Sequence, residues 1–420
     1  MIRILFFSLI FVASCRQNTD QTSSTSSFLQ TLKTDIILPV ETQPEILKLL
    51  DWEGSILAFT ENAIYRYQKA SWQIELVKGK IQTAVQDPSG RIWYITDEYI
   101  CIWPENDQFE LPTRNLLSQC AIWYDENTLY LGTSNGLYQW QNGWISLPEF
   151  KEISVNDLVR DADGVLWVAS DNGLWQKKGE QWVNLDETLM AVGNEHRYFS
   201  LSTGNQGKDL ILSAPYSIGI LAADGNHQVW RGTDGLPYGP ARVIRELDSE
   251  LWIGTARGLI RKGNEWRYYH GKRWLAGDQV NDVLGISPNV KWVATSGGIS
   301  ELKEVEMTLA QKAEYYADLI EKRHNRRGLI NVSKLGIAGD LSTNYTENED
   351  NDGLWTSCFL GAECFRYAVT QSSDARERAV RTFEALERLE LITGIPGYPA
   401  RSYARATDSI VQSRSPHPKY

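Results

Sequence analysis

The sequence predicts a mostly β chain, a seven-bladed β-propeller followed by a smaller all-α domain. Two observations carry this. A turn–strand–turn pattern marked by one bulky strand residue recurs seven times between Leu57 and Trp292. From Thr308 onward the apolar residues change to a period near 3.6. A third observation, a short apolar leader ending at Cys15, predicts that the chain is exported.

The leader comes first in the chain. Arg3 supplies a positive charge, and Ile4 to Ala13 is apolar. That run is about ten residues long, whereas a spanning helix needs roughly twenty. Residues 1–14 therefore read as a signal peptide. Val12-Ala13-Ser14-Cys15 resembles the bacterial lipobox, and the resemblance implies that Cys15 is the lipid attachment site, tethering the chain to a membrane of the bacterial cell envelope (outer membrane or periplasmic face). The plainer alternative is a secretion signal in which Cys15 is incidental. Residues 15–33 follow as a polar linker rich in Ser, Thr and Gln, a composition that buries too little apolar surface to fold alone.

Charge and cysteine usage exclude several function classes. The net charge of −11 argues against a nucleic-acid partner, because neutralising phosphates needs a clustered basic face. From Met307 onward fifteen Lys and Arg balance fifteen Asp and Glu, so the acidic excess belongs to the repeats. Five His and no CxxC pair predict no metal site. No P-loop, dinucleotide fingerprint, nucleophile elbow or HExxH occurs, and no cofactor is expected. Cys101 and Cys120 lie close enough in sequence to pair in an oxidising compartment, although spacing cannot give connectivity.

The repeats are assigned to residues 34–306. Asp161-Ala162-Asp163-Gly164-Val165-Leu166-Trp167 is the clearest copy, and Asp87-Pro88-Ser89-Gly90-Arg91-Ile92-Trp93 repeats its pattern. Aligned on the bulky residue, the anchors are Leu57, Trp93, Tyr130, Trp167, Ile211, Trp252 and Trp292, spaced 36, 37, 37, 44, 41 and 40 apart. Four-stranded propeller blades have this length. The fourth copy parses into strands at 156–160, 165–170, 174–177 and 181–185, with Asp163-Gly164 and Asn172-Gly173 as hairpin turns. The Asp-rich turns lack the closing bidentate Glu of a calcium loop and read as structural. After the seventh anchor only one further strand is available. The unassigned segment Thr34–Val40 is therefore expected to dock as the missing outer strand and cover an open sheet edge.

Thr233-Asp234-Gly235-Leu236-Pro237, followed by Leu251-Trp252-Ile253-Gly254-Thr255, resembles the two-component regulator propeller repeat over roughly residues 44–303. That resemblance implies a sensory or sugar-linked module outside the cytoplasm.

Residues 307–420 read as helical. Leu309, Ala313, Tyr316 and Ile320 mark one face of a helix capped by Thr308. A second helix, from about Leu354 to Thr370, is expected to bury Leu354, Cys358, Ala362, Phe365 and Val369. A third, capped at Ser373-Asp374, would bury Ala379, Phe383, Leu386 and Leu389. The long polar stretch 339–353 reads as a functional loop. The motifs around His324, Asp352-Gly353-Leu354-Trp355 and Pro399-Ala400-Arg401-Ser402 resemble the opening of an (α/α) toroid of bacterial polysaccharide-utilisation proteins, a fold shared by polysaccharide lyases and glycuronyl hydrolases. Three helices are the beginning of such a toroid, not a complete one.

Five residues are the binding candidates. Trp355 could stack on a sugar ring and Asp352 hold hydroxyls, or Asp352 could cap the helix and Trp355 pack within the bundle. His324 and Arg326 could hold an acidic substituent, or serve the preceding helix C-terminus. Arg401 has no helix to stabilise. The expected function is a membrane-anchored surface lipoprotein whose propeller acts as a binding or sensing module for a polysaccharide, an oligosaccharide or an envelope partner protein in polysaccharide utilisation. The alternative is the N-terminal part of a polysaccharide lyase or glycoside hydrolase with its site in the toroid.

Overall fold

The computed structural model describes residues 26–113, 116–185, 196–337, 340–405 and 411–412. The leader and Cys15 lie outside the described residues. The chain divides into two units, residues 31–304 and residues 305–420 together with the first thirty.

The first unit is a seven-bladed β-propeller. Its four-stranded antiparallel blades occupy residues 48–76, 81–110, 118–146, 155–184, 201–230 and 241–269, and the seventh takes three strands from 280–307. All seven anchors fall on the second strand of their blade. The first strands touch one another in a closed cycle, so they line the central axis. The seventh blade is completed by Phe28–Ile36, which lies beside Gly298–Met307 as its outer strand. This closing strand begins six residues earlier than expected from Thr34–Val40. Pro39 has no N–H for a ladder. Residues 37–40 leave the sheet, and Leu38 is fully buried between blades 7 and 1 beside Ile46, Leu49 and Trp292.

The repeat signature follows from hydrogen bonding. Asp161 accepts from the backbone N–H of Asp163 at 3.0 Å and of Val165 at 2.8 Å, and from the indole N–H of Trp167 at 2.8 Å. Asp87 repeats this with Ser89, Arg91 and Trp93. The turn carboxylate thus holds both its own hairpin and the ring two strand positions on. Gly90 and Gly164 adopt φ of 90° and 82°, a region that side chains disfavour. At the other end of the second strand, Thr96, Thr133, Ser170, Thr255 and Thr295 each donate to the carbonyl three residues on and accept from the N–H two residues on.

Neighbouring blades are clamped by the Val-Asn-Asp triplets 155–157 and 280–282. Asn156 donates to the Tyr198 carbonyl of blade 5's leading segment, and Asn281 donates to the Ile46 carbonyl before blade 1. Asp157 accepts from Leu201 N–H at 2.8 Å and the Ser200 hydroxyl at 3.0 Å. Asp282 accepts from Leu49 N–H at 3.2 Å and pairs with Lys48 at 3.3 Å and Arg245 at 2.9 Å. Burial alone would raise the Asp282 carboxyl, but Lys48, Arg245 and two backbone N–H groups outweigh it and hold it below its ordinary value. Around Asp157 burial wins and its carboxyl rises. Cys101 and Cys120 are buried and unbonded. Burial raises both thiols.

The second unit contains helices α1 (Leu309–Arg323), α2 (Asp352–Thr370) and α3 (Ser373–Leu391). Thr308 caps α1 in a reciprocal box with Gln311. Gln371, at φ 54°, ends α2, and Ser372 caps α3 one residue ahead of the expected cap, folding the two helices into a hairpin. The stretch expected as a functional loop instead holds a strand, Asn344–Asn348, antiparallel to Val332–Leu335 and parallel to Val411–Gln412. A small hairpin, Asn325–Arg326 with Leu329–Ile330, precedes it. The region is therefore not all helical: its polar residues alternate along strands that the helical period does not reveal.

The helix faces also differ from expectation. Leu354, Cys358, Ala362, Phe365 and Val369 of α2 are exposed, and its buried side carries Asp352, Thr356, Phe359 and Glu363. Leu309 and Ala313 of α1 are exposed while Ala317 is buried. In α3 Ala379 and Leu389 are buried and Leu386 half-buried as expected, whereas Phe383 is exposed and Ala375, Thr382 and Ala385 join the buried side. Small residues let α2 and α3 approach closely. The polar groups on the buried side of α2 find partners: Thr356 accepts from Ile330 N–H at 2.8 Å, and Glu363 pairs with Arg366 at 3.1 Å.

Candidate functional site

The second unit holds an open pocket of about 590 Å³ between α1, α2 and the strand segment 330–333. Its walls are largely apolar, from Ile320, Ile330, Val332 and Phe359. Two expected site residues, His324 and Trp355, line it.

Each is positioned by local chain geometry. His324 closes the C-terminus of α1, its backbone N–H donating to Ile320 at 2.8 Å. Its Nδ1 lies 3.0 Å from the Asn331 carbonyl. A carbonyl only accepts, so Nδ1 carries the proton and Nε2 is the ring's remaining polar atom. Trp355 lies in the first turn of α2 and is 45% exposed, so its ring is available as a platform rather than packed away. Ser333, Glu349 and Asn351 supply polar groups to the lining.

Asp352 stands behind this wall. It is fully buried and accepts from Asn331 Nδ2 at 2.5 Å, from Glu349 N–H at 3.2 Å and from the Ser402 hydroxyl. Burial raises its carboxyl more than these donors and Arg326 lower it. Asp352 thus ties the α2 N-terminus to the segment at Ser402 and to Asn331, whose carbonyl holds His324. Its reach is indirect.

Arg326 donates to the Tyr403 carbonyl at 2.6 Å. Arg401 is exposed and pairs with Asp350 at 2.6 Å, while its carbonyl accepts from Gly353 N–H at 3.1 Å. Neither Arg lines the pocket. His324 and Trp355 meet at one site, and Arg326, Asp352 and Arg401 brace the backbone around it. Sequence reasoning missed Asn331, Ser333 and Glu349, because they lie on or beside short strands, outside the helical pattern. Among the described residues no cluster of His, Cys, Asp and Glu could hold a metal ion.

The sequence matches no protein-family model and no curated protein. Solved structures match the fold. The extracellular domain of a hybrid two-component system protein of B. thetaiotaomicron is 16% identical with a TM-score of 0.54, over 65% of this chain and 40% of that one. A second such domain from the same organism is 12% identical with a TM-score of 0.53, over 78% of this chain and 47% of that one. Virginiamycin B lyase from Staphylococcus aureus is 14% identical with a TM-score of 0.53, over 66% of this chain and 100% of that one. The chain spans less than half the length of both two-component domains. At these identities the likeness establishes the propeller fold.

Proposed function

We propose that this chain is a carbohydrate-binding module of the bacterial cell envelope, anchored through a lipidated Cys15, with its ligand seated against Trp355. The observation that carries this is the 590 Å³ pocket in which a half-exposed Trp355 and His324 converge. The volume lies within the range of small-molecule sites, and an apolar wall with a few polar groups is their usual chemistry. Glu349 is the carboxylate that lines the pocket among the described residues, with Asp352 behind the wall. Hydrolysis of a glycosidic bond uses a facing pair of carboxylates, so the lining favours binding over hydrolysis. The fold shared with extracellular domains of two-component proteins supports a sensing role outside the cytoplasm, as does the leader. Among the described residues no helix is long and apolar enough to cross a membrane.

Calorimetric titration after a glycan-array screen tests the site. Trp355→Ala and His324→Ala should each weaken binding by about 1–3 kcal/mol, the cost of leaving partner groups unpaired. Unchanged affinity in both folded variants sinks the assignment. Detergent partitioning tests the anchor: Cys15→Ser should move the protein to the aqueous phase, and unaltered partitioning counts against lipidation.

A further inference from the structure

The outer groove between blades 2 and 3 has a volume of about 560 Å³ and is lined by four aromatic rings, Trp93, Phe109, Trp123 and Trp140. The rings form a closed circuit. Their centroids are 5.3 Å apart for Trp93–Phe109, 6.2 Å for Phe109–Trp140, 6.1 Å for Trp140–Trp123 and 4.9 Å for Trp123–Trp93. Trp93 and Trp123 are buried as a floor, and Phe109 and Trp140 are part-exposed. Above them Asn127, Gln141 and Asn142 place three carboxamides at the hairpin turns of blade 3, with Arg91 and Glu126 beside them.

The propeller supplies its own control. The groove between blades 5 and 6 is of similar size, about 580 Å³, and uses the same repeat positions. There Ile211 stands where blade 2 has Trp93, and Glu246 and Lys262 where blade 3 has Trp123 and Trp140, so that of the four ring positions only that of Phe109 keeps a ring, Trp230. Its walls carry Asp209, Glu246, Asp248 and Glu250. Blade geometry opens a groove at this position but does not dictate an aromatic lining.

We propose that the blade 2–3 groove is a second carbohydrate site, taking a pyranose unit of a neutral oligosaccharide. The C–H face of a sugar packs on aromatic rings. Carboxamides, each donor and acceptor, match its vicinal hydroxyls. The Trp93 indole N–H is held by Asp87 at 2.8 Å, which fixes this ring in the floor of the groove. A cationic ligand is disfavoured because the Arg91 guanidinium already sits 5.6 Å from the Trp93 ring. The site lies wholly in the propeller and does not depend on the Trp355 pocket.

Calorimetry on the full chain with cellohexaose, mannohexaose, xylohexaose and maltohexaose tests it, with choline as the cationic probe. At least one hexaose should bind. Trp140→Ala should weaken that binding roughly tenfold or more, and so should Asn142→Gly, which removes the carboxamide while keeping the backbone at φ 66° that Asn142 adopts. Lys262→Ala in the matching groove should leave affinity unchanged. Binding of no hexaose, tighter binding of choline, or affinity that survives both Trp140→Ala and Asn142→Gly overturns the proposal. Loss in Trp355→Ala with none in the groove variants assigns binding to the other pocket alone, and loss confined to the groove variants removes the Trp355 reading instead.

Discussion

In the propeller the anchors Tyr130, Trp252 and Trp292 are at most 3% exposed, whereas Leu354, Phe365 and Val369 of α2 are 56, 66 and 81% exposed. The difference lies in topology. A blade in a closed ring has a neighbour on each face, so the apolar residues of the second strand are buried or, like Ile56, Trp167 and Val290, half-buried whichever way they point. A helix in a three-helix unit has neighbours on part of its circumference, and the sides covered are decided by chain connections. Where a segment's environment is imposed by repetition, hydrophobic pattern reports burial. Where it is not, the pattern reports only where burial would be favourable.

The largest expected effect comes from reopening the ring. Deleting residues 28–36 strips the outer strand of blade 7 and exposes an unpaired edge. The melting temperature should fall by roughly 15 °C or more in calorimetry, since each 1 kcal/mol moves a 150–250-residue domain by about 2–4 °C. A smaller shift would mean that the blade-to-blade clamps close the ring without the strand.

Next is Asp282, which joins blades 7, 1 and 6 through Leu49, Lys48 and Arg245. Asp282→Ala leaves two cations and an N–H without their acceptor and should cost about 3–5 kcal/mol in denaturant unfolding. The two clamp carboxylates should also impose opposite pH dependences. The Asp282 carboxyl is lower in the folded chain, so its stabilisation is present above the ordinary carboxylate range and lost as pH falls through the lowered value. The Asp157 carboxyl is higher in the folded chain, so stability falls as pH rises from the ordinary value through the raised one. Asp282→Asn should reduce the acid-side loss and Asp157→Asn the opposing slope. Parallel pH profiles for the two variants contradict the assignment.

A middle-sized effect isolates the repeat turn. Asp161→Ala removes the acceptor for two backbone N–H groups and the Trp167 indole and should cost about 1–3 kcal/mol. This turn also explains why the propeller was legible in sequence. Asp, Gly and Trp recur at fixed offsets because one carboxylate serves all three features, so chemistry and spacing coincide. The Val-Asn-Asp clamps are equally regular, yet they occur in two blades and join residues far apart in the chain, so sequence gave no notice of them. The candidate pocket was half legible: Trp355 and His324 stand out as residue types, whereas the second-unit strands that complete its wall are two and four residues long, too short for their alternation to be read.

The smallest effect tests the exposed side of α2. If Leu354, Phe365 and Val369 have no partner, Phe365→Lys and Val369→Glu should each change unfolding stability by less than about 0.5 kcal/mol, as ordinary surface substitutions do. Thr356→Val, on the buried side, should cost about 1–3 kcal/mol because the Ile330 N–H loses its acceptor. Burial of a large apolar side chain is worth about 1.5–3 kcal/mol, so a helix packed by its apolar stripe would show the reverse order, with Phe365→Lys far more damaging than Thr356→Val. The sign of that difference distinguishes the two faces without reference to any ligand. An α2 anchored through Asp352 and Thr356, and through Arg366 to Asp374 of α3 at 3.2 Å, is held by groups whose directions matter, which fixes its rotation and keeps Trp355 turned toward the pocket. An apolar stripe alone would allow the helix to roll, and the site residues would roll with it.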